Sequence, residues 1–317
     1  MKDSPEDYGS RFERWDERAA VRVKPQPVLD SPAPDTLYFP PELVPVLRHP
    51  LVAGRGGRAV HDALAQHLYH YLHFTVELEQ LAIIPVAARI ARGRSGLDLP
   101  ERMRADAYKI VTDEAWHAQL SYDLIRQVET RSGVAWTDAG TPAFLRRLDA
   151  VRRRLDPRVR GLERLLFAVV SETLISTVLT DIPRDRRLPG AVRDLVRDHA
   201  EDEGRHHAYF RDLLRRLWPA LSATERACAG PLLPAIVVAF VEPDREAAAA
   251  VARSAGLSRE QARTVAAESL SVAWTVRDTA SRARTVVRYF EEAGALDDGA
   301  TREAFAEAGL LDPGRDG

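Results

Sequence analysis

Asp113-Glu114-Ala115-Trp116-His117 and Asp202-Glu203-Gly204-Arg205-His206 repeat one pattern, Asp-Glu-x-x-His, at two distant places in a 317-residue chain. Nine histidines occur, and only His117 and His206 have a glutamate three residues before them. In a helix, residues i and i+3 share a face, so each copy aims a carboxylate and an imidazole at one point. A single copy is compatible with a solvated helix face. Two copies on separate long helices point to a shared metal site.

The flanking sequence reads as helix on both sides of each motif. Apolar periodicity places long helices near 58–92, 99–131, 157–181 and 187–216. Additional helices fall near 140–154, 222–240, 244–254, 258–293 and 301–309. Gly93 to Pro100, Ser132-Gly133, Pro183 to Pro189 and Pro219 mark the breaks, and Pro85 is expected to kink the first long helix or end it. No segment alternates convincingly as a strand. Residues 1–45 lack periodicity and carry Pro25, Pro27, Pro32, Pro34, Pro40 and Pro41, which predicts an extended arm. Apolar stripes broader than a heptad seam favour a globular bundle over a coiled-coil rod.

Composition narrows the chemistry. Hydrophobic residues make up 45% and charged residues 29%, with a formal net charge of −2, so no basic field calls for nucleic acid or an anionic membrane. Cys228 is the only cysteine, which excludes an intrachain disulfide framework and an all-thiolate metal site. A transition metal must then be held by His and carboxylates, a donor set suited to iron, manganese or zinc. No apolar run reaches the ~18 residues of a membrane span, and Met1 to Asp16 lacks the apolar core of a secretory signal. Lysine is confined to Lys2, Lys24 and Lys109, a skew associated with high-GC bacterial genomes, and a bacterial cytoplasmic location is expected.

A two-metal site in a bundle needs an inward glutamate from each of two further helices, as in ferritin-like carboxylate proteins. Glu172 qualifies, because it interrupts the apolar run Leu166 to Ile175, where an unpaired carboxylate is costly. The first helix offers Glu77 and Glu79. Glu79 shares its face with Leu72, Thr75, Val76, Ala82, Ile83, Val86 and Ile90, whereas the Glu77 face includes His70, His73 and Gln80. Glu79 is therefore preferred and Glu77 is the fallback. His199 stands four residues before Glu203 and seven before His206, on one helical stripe, which makes it a candidate seventh ligand. A ligating imidazole usually donates its second N–H to a carboxylate, so Asp113 is expected to orient His206, and Asp202 to orient His117.

Other features carry blander readings. His67, His70 and His73 drift around their helix without a carboxylate motif and are assigned surface or supporting roles. His207 points about 100° away from His206. Tyr108 and Trp116 read first as packing residues, and the arginine clusters at 152–154 and 215–216 as solvated faces. Ser176 and Thr177, about a turn beyond Glu172, are candidate pocket residues, although bonding back to their own helix explains them equally well. Arg277 and Arg282 are candidate anchors for a substrate carboxylate.

Taken together, Glu79, then 33 residues, Asp113-Glu114-Ala115-Trp116-His117, Glu172 and His199-Ala200-Glu201-Asp202-Glu203-Gly204-Arg205-His206 resemble the p-aminobenzoate N-oxygenase (AurF-like) non-haem di-iron oxygenases. The resemblance covers roughly residues 58–215. It implies an all-α fold with a ferritin-like four-helix bundle core, additional helices and the N-terminal arm, with 46–312 as a single di-iron oxygenase domain. It further implies two iron ions (Fe2+/Fe3+) bridged by Glu114 and Glu203. Glu79 and His117 would complete one iron, and Glu172, His199 and His206 the other. O2 would be the co-substrate and an amine, most plausibly an arylamine in a natural-product pathway, the acceptor. A small-molecule substrate, an external electron donor and a homodimer are the expected partners, without nucleic acid or membrane. Di-iron C-hydroxylation or desaturation, and ferritin-type iron storage, are the competing functions.

Overall fold

The computed structural model describes residues 8–30, 36–178 and 182–311, with the backbone alone at 176–178 and 272–278. Eleven helices organise it. We label them α1 (Gly57–Leu78, carried through a π-helical turn Glu79–Ile83 into Ile84–Ala91), α2 (Glu101–Ser132), α3 (Ala143–Arg154), α4 (Leu162–Val178) and α5 (Gly190–Ala220). They continue as α6 (Ala223–Ala229), α7 (Leu233–Val241), α8 (Arg245–Ser254), α9 (Arg259–Ser269), α10 (Val272–Glu292) and α11 (Gly299–Glu307). No strand occurs among the described residues, and the fold is all-α. Helices α1, α2, α5 and α4 pack in a ring, each against the next, and the interior of that ring is the site.

Local sequence explains most boundaries. Gly133 takes φ 70° just past α2, the left-handed conformation that glycine adopts without penalty. Ser258 and Gln261 form a capping box that starts α9. Pro85 does not end α1, which continues to Ala91. It has no N–H to offer the preceding turn, and the chain answers with the π turn, in which the Ile84 N–H bonds to the Glu79 carbonyl five residues back. Glu79 thus opens the one irregular turn of the first core helix.

Three expectations change. The stretch 258–293 is two helices, because Leu270 (φ −114°, ψ 49°) leaves the helical region before Ser271 starts α10; neither glycine nor proline announces that break. Pro219 does not stop α5, which runs to Ala220. The expected helix 222–240 is broken at Gly230–Leu232, so that 223–254, which passes for a membrane span by length and composition alone, is interrupted there and at Glu242 to Asp244. Its Leu233, Ile236, Val237 and Val241 are buried against α3 and α4.

The N-terminal segment differs most from a free arm. It contains two short helical turns, Trp15–Arg18 and Ala20–Val23, and buries Tyr8, Phe12, Ala19, Ala20 and Leu29. Each large apolar side chain buried this way contributes about 1.5–3 kcal/mol. Polar contacts fix it to α2 and α5: Arg11 pairs with Asp212 at 2.6 Å, Lys24 with Asp198 at 3.3 Å, and the Leu29 N–H donates to Gln127 Oε1 at 2.7 Å.

Asp244 joins the outer helices. Its Oδ1 accepts from the Glu246 and Ala247 amides at the start of α8, while Oδ2 accepts from the Ala143 amide at the start of α3. Asp244→Ala is expected to lower the unfolding free energy by about 1–2 kcal/mol in a denaturant titration. Asp244→Asn, which keeps one acceptor, should recover part of that loss.

Candidate metal centre

Each of the four ring helices contributes to one buried cluster. Glu79 comes from α1, Glu114 and His117 from α2, Glu172 from α4, and His199, Glu203 and His206 from α5; all seven are at most 3% exposed. Two overlapping groups have donor atoms close enough to hold an ion: Glu114, His117, His199 and Glu203, and Glu114, Glu172, Glu203 and His206. Glu114 and Glu203 belong to both. Glu79 adjoins the first group, with Oε1 3.8 Å from His199 Nε2. Glu77 is half-buried and in neither group.

The imidazoles are oriented alike. His206 Nε2 lies 3.1 Å from Asp113 Oδ2, leaving Nδ1 turned inward, 2.7 Å from Glu114 Oε1 and 3.4 Å from Glu203 Oε1. His117 Nε2 lies 3.1 Å from Asp202 Oδ2, and its Nδ1 faces Glu114 Oε2 at 2.8 Å and Glu203 Oε1 at 3.6 Å. A carboxylate oxygen accepts, so each contact puts an N–H on Nε2 and turns Nδ1 toward the centre, the orientation a ligating imidazole needs. The aspartate of each motif serves the histidine of the other, as antiparallel helices require.

His199 falls elsewhere than the family resemblance implies. Its ring is 4.3 Å from that of His117 and its Nε2 is 3.0 Å from Glu203 Oε1. It therefore joins Glu79 and His117 rather than Glu172 and His206. Seven residues along a helix are about 10 Å, which sets His199 and His206 at opposite ends of the shared pair Glu114 and Glu203.

The polar atoms facing the centre are the best test of what belongs there. Glu79 Oε2, Glu114 Oε1, Glu172 Oε2, both Glu203 oxygens, His199 Nε2 and His206 Nδ1 are buried without a properly aimed hydrogen bond. Buried polar atoms are nearly always satisfied, and these converge on one volume. Cations held by the two overlapping groups would satisfy them, and the donor set of carboxylates and imidazoles fits iron. Without a cation, protons must compensate. Burial, with Glu114 and Glu203 nearby, drives the Glu79 carboxyl well above its usual range, and burial drives Glu172 likewise. Burial alone would lower His117, but Asp202 and Glu114 hold it up at about 10.

Beside the centre, on the side of α3, α7 and α8, lies a cavity of about 1150 Å³. Phe39, Tyr71, Phe74, Phe144, Ile175 and Phe240 contribute to its wall. Ile175 follows Glu172 by one turn of α4. Tyr71 stands between cavity and cluster: its buried hydroxyl has no hydrogen-bond partner, and burial, with the negative charge of Glu203 adding to it, raises its pKa strongly. Tyr71, Thr75 and Glu79 form an i, i+4, i+8 stripe, a signal present in the sequence and not used there.

His67, His70 and His73 also line this cavity, which sets aside the surface alternative for them. Burial lowers His67 to about 3 and His70 to about 4, so both are neutral near pH 7. Arg282 reaches the same cavity and donates to the Val241 carbonyl. The side chains of Ser176, Thr177 and Arg277 lie outside the described residues. Tyr108 is exposed, Trp116 is half-buried against the core, and His207 bonds to the Tyr289 hydroxyl at 2.9 Å, away from the centre.

A helical ring encloses overlapping carboxylate–histidine groups able to hold metal, beside an aromatic cavity. The chain belongs to the family described as P-aminobenzoate N-oxygenase AurF, which it matches over residues 12–294, and it is an oxygenase. The match takes in most of the N-terminal segment and α6–α10, well beyond the four helices that carry the ligands. A similar protein is the 4-aminobenzoate N-oxygenase of Streptomyces thioluteus, 26% identical over 255 residues, 78% of this chain and 75% of that protein.

Two outcomes are expected. Glu172→Gln should raise the melting temperature of the metal-free protein, by removing a carboxylate from a crowded buried site, and abolish stabilisation by added iron. Iron binding should release protons from His117 and the raised glutamates. Calorimetry in two buffers of different ionisation enthalpy reads that release, and affinity should increase with pH.

Proposed function

We propose that the chain is a non-haem di-iron oxygenase that uses O2 to oxidise the nitrogen of an aromatic amine. The observation that carries this reading is the set of orphaned, convergent donor atoms walled off from an aromatic cavity by Tyr71 and Ile175. Glu114 and Glu203 would bridge the two irons, with Glu79, His117 and His199 at one end and Glu172 and His206 at the other. A reduced iron pair supplies electrons and open positions for O2. The protein fixes the ligands and excludes bulk water: the seven donors are buried, and Asp113 and Asp202 hold two imidazoles in the ligating tautomer.

The amine would lie in the cavity, its ring against Phe74, Phe144 and Phe240, which suit aromatic stacking. The neutral imidazoles of His67 and His70 offer polar contacts without charge. The similar Streptomyces protein, named for 4-aminobenzoate, supports an arylamine substrate. An external electron donor would reduce the irons between turnovers; we propose a homodimer acting in the bacterial cytoplasm.

Supplying iron(II), a reductant and isotopically labelled O2 to the protein, and screening arylamines by mass spectrometry, should yield products with labelled oxygen on nitrogen. Label on carbon would favour C-hydroxylation instead. Iron uptake without any oxidised product, followed by growth of a mineral core, would favour storage.

A further inference from the structure

Beyond the ligands and their aspartates, the N-terminal segment reaches both halves of the centre. The Trp15 indole Nε1–H donates to Asp113 Oδ1 at 2.8 Å, and the other oxygen of that carboxylate holds His206. The Ala20 backbone N–H donates to Asp202, 3.2 Å from Oδ2 and 3.3 Å from Oδ1, and Oδ2 holds His117. The Phe12 ring lies nearly parallel to that of His206, 5.9 Å away at 25°. Ala20 also closes a hollow of about 10 Å³ against His117 and His199. Asp113 and Asp202 are fully buried, so a carboxylate released on one side finds no water to replace the lost donor.

We infer that Trp15 and the Ala20 amide are positioning groups of the metal centre, one for each half, acting through Asp113 on His206 and through Asp202 on His117. A carboxylate held at one oxygen presents the other in a fixed direction. That direction sets the plane of the imidazole and keeps its proton on Nε2. Freed at one oxygen, the carboxylate turns about its last side-chain bond and the imidazole gains the same freedom. The two halves are held differently. Asp113 receives an indole N–H, whereas Asp202 receives a main-chain amide and also pairs with Arg205. The Trp15 half therefore depends more heavily on a single donor.

This inference rests on the metal reading of the cluster, and its test separates the two. Trp15→Phe removes the indole N–H and keeps an aromatic ring. Ala20→Pro removes the amide at the first position of a helical turn, where proline is tolerated, behind an Ala19 already extended at φ −64°, ψ 136°. Ala20→Gly keeps the amide and serves as its control. Wild type and variants are loaded with 57Fe(II), iron affinity is measured against a chromophoric chelator, and the Mössbauer spectrum is recorded. We expect wild type and Ala20→Gly to match. Trp15→Phe and Ala20→Pro should each weaken one of the two iron sites by about three- to tenfold, less than the ten- to hundredfold typical of changing a residue bonded directly to a ligand. Each should shift a different one of the two quadrupole doublets. Loss of packing alone would lower the melting temperature without this selectivity. Should Ala20→Pro fail to fold, the Trp15→Phe spectrum decides. Unchanged affinity and doublets in a Trp15→Phe protein that binds two irons would overturn the inference and leave the metal reading intact. A wild type that takes up no iron would overturn both.

Discussion

Four carboxylates and three imidazoles share one buried volume inside the helical ring, and the rest of the structure depends on how that charge is compensated. Isolated ions cannot be held in such a place: desolvating even one costs several kcal/mol, and like carboxylates repel as well. Protons offer a partial solution, seen in the raised Glu79 and Glu172 and the elevated His117. A pair of cations offers a complete one, because it satisfies atoms that otherwise have no partner. The cluster is thus a region of stored instability that bound cations would resolve.

That constraint accounts for architecture that otherwise looks unmotivated. The long helices must approach closely enough to bring ligands from four directions together, and the two Asp-Glu-x-x-His motifs must run antiparallel so that each aspartate meets the opposite histidine. The π turn at Glu79 places the one cluster residue from α1 on a helix that Pro85 would otherwise interrupt. The late helices α7 and α8 then cover the α1–α4 side and enclose the aromatic cavity. The N-terminal segment covers the α2–α5 side, where both aspartates sit. The aromatic cavity and the N-terminal segment occupy opposite faces of the same bundle.

Much of this was legible in the sequence because helical periodicity converts spacing into direction. Glu114 with His117, and Glu203 with His206, announce a shared point through their three-residue spacing. The apolar neighbours of Glu79 separate it from Glu77. His199 is visible on the stripe of Glu203, although which half it joins depends on the distance along α5 and not on the face. Trp15 and Ala20 were not legible: a segment without periodicity gives no direction, and a backbone amide leaves no trace in residue identity. The roles of His67 and His70 were hidden for another reason. They line a cavity whose other walls come from the later helices α3, α7 and α8, and only tertiary packing turns their side of α1 into a cavity wall.

Fe K-edge anomalous diffraction from iron-loaded crystals would test the central claim most directly. The account predicts two peaks about 3.5–4 Å apart, both between Glu114 and Glu203, one nearer His117 and His199 and the other nearer Glu172 and His206. A single peak, or peaks at the surface with the buried cluster empty, would contradict it.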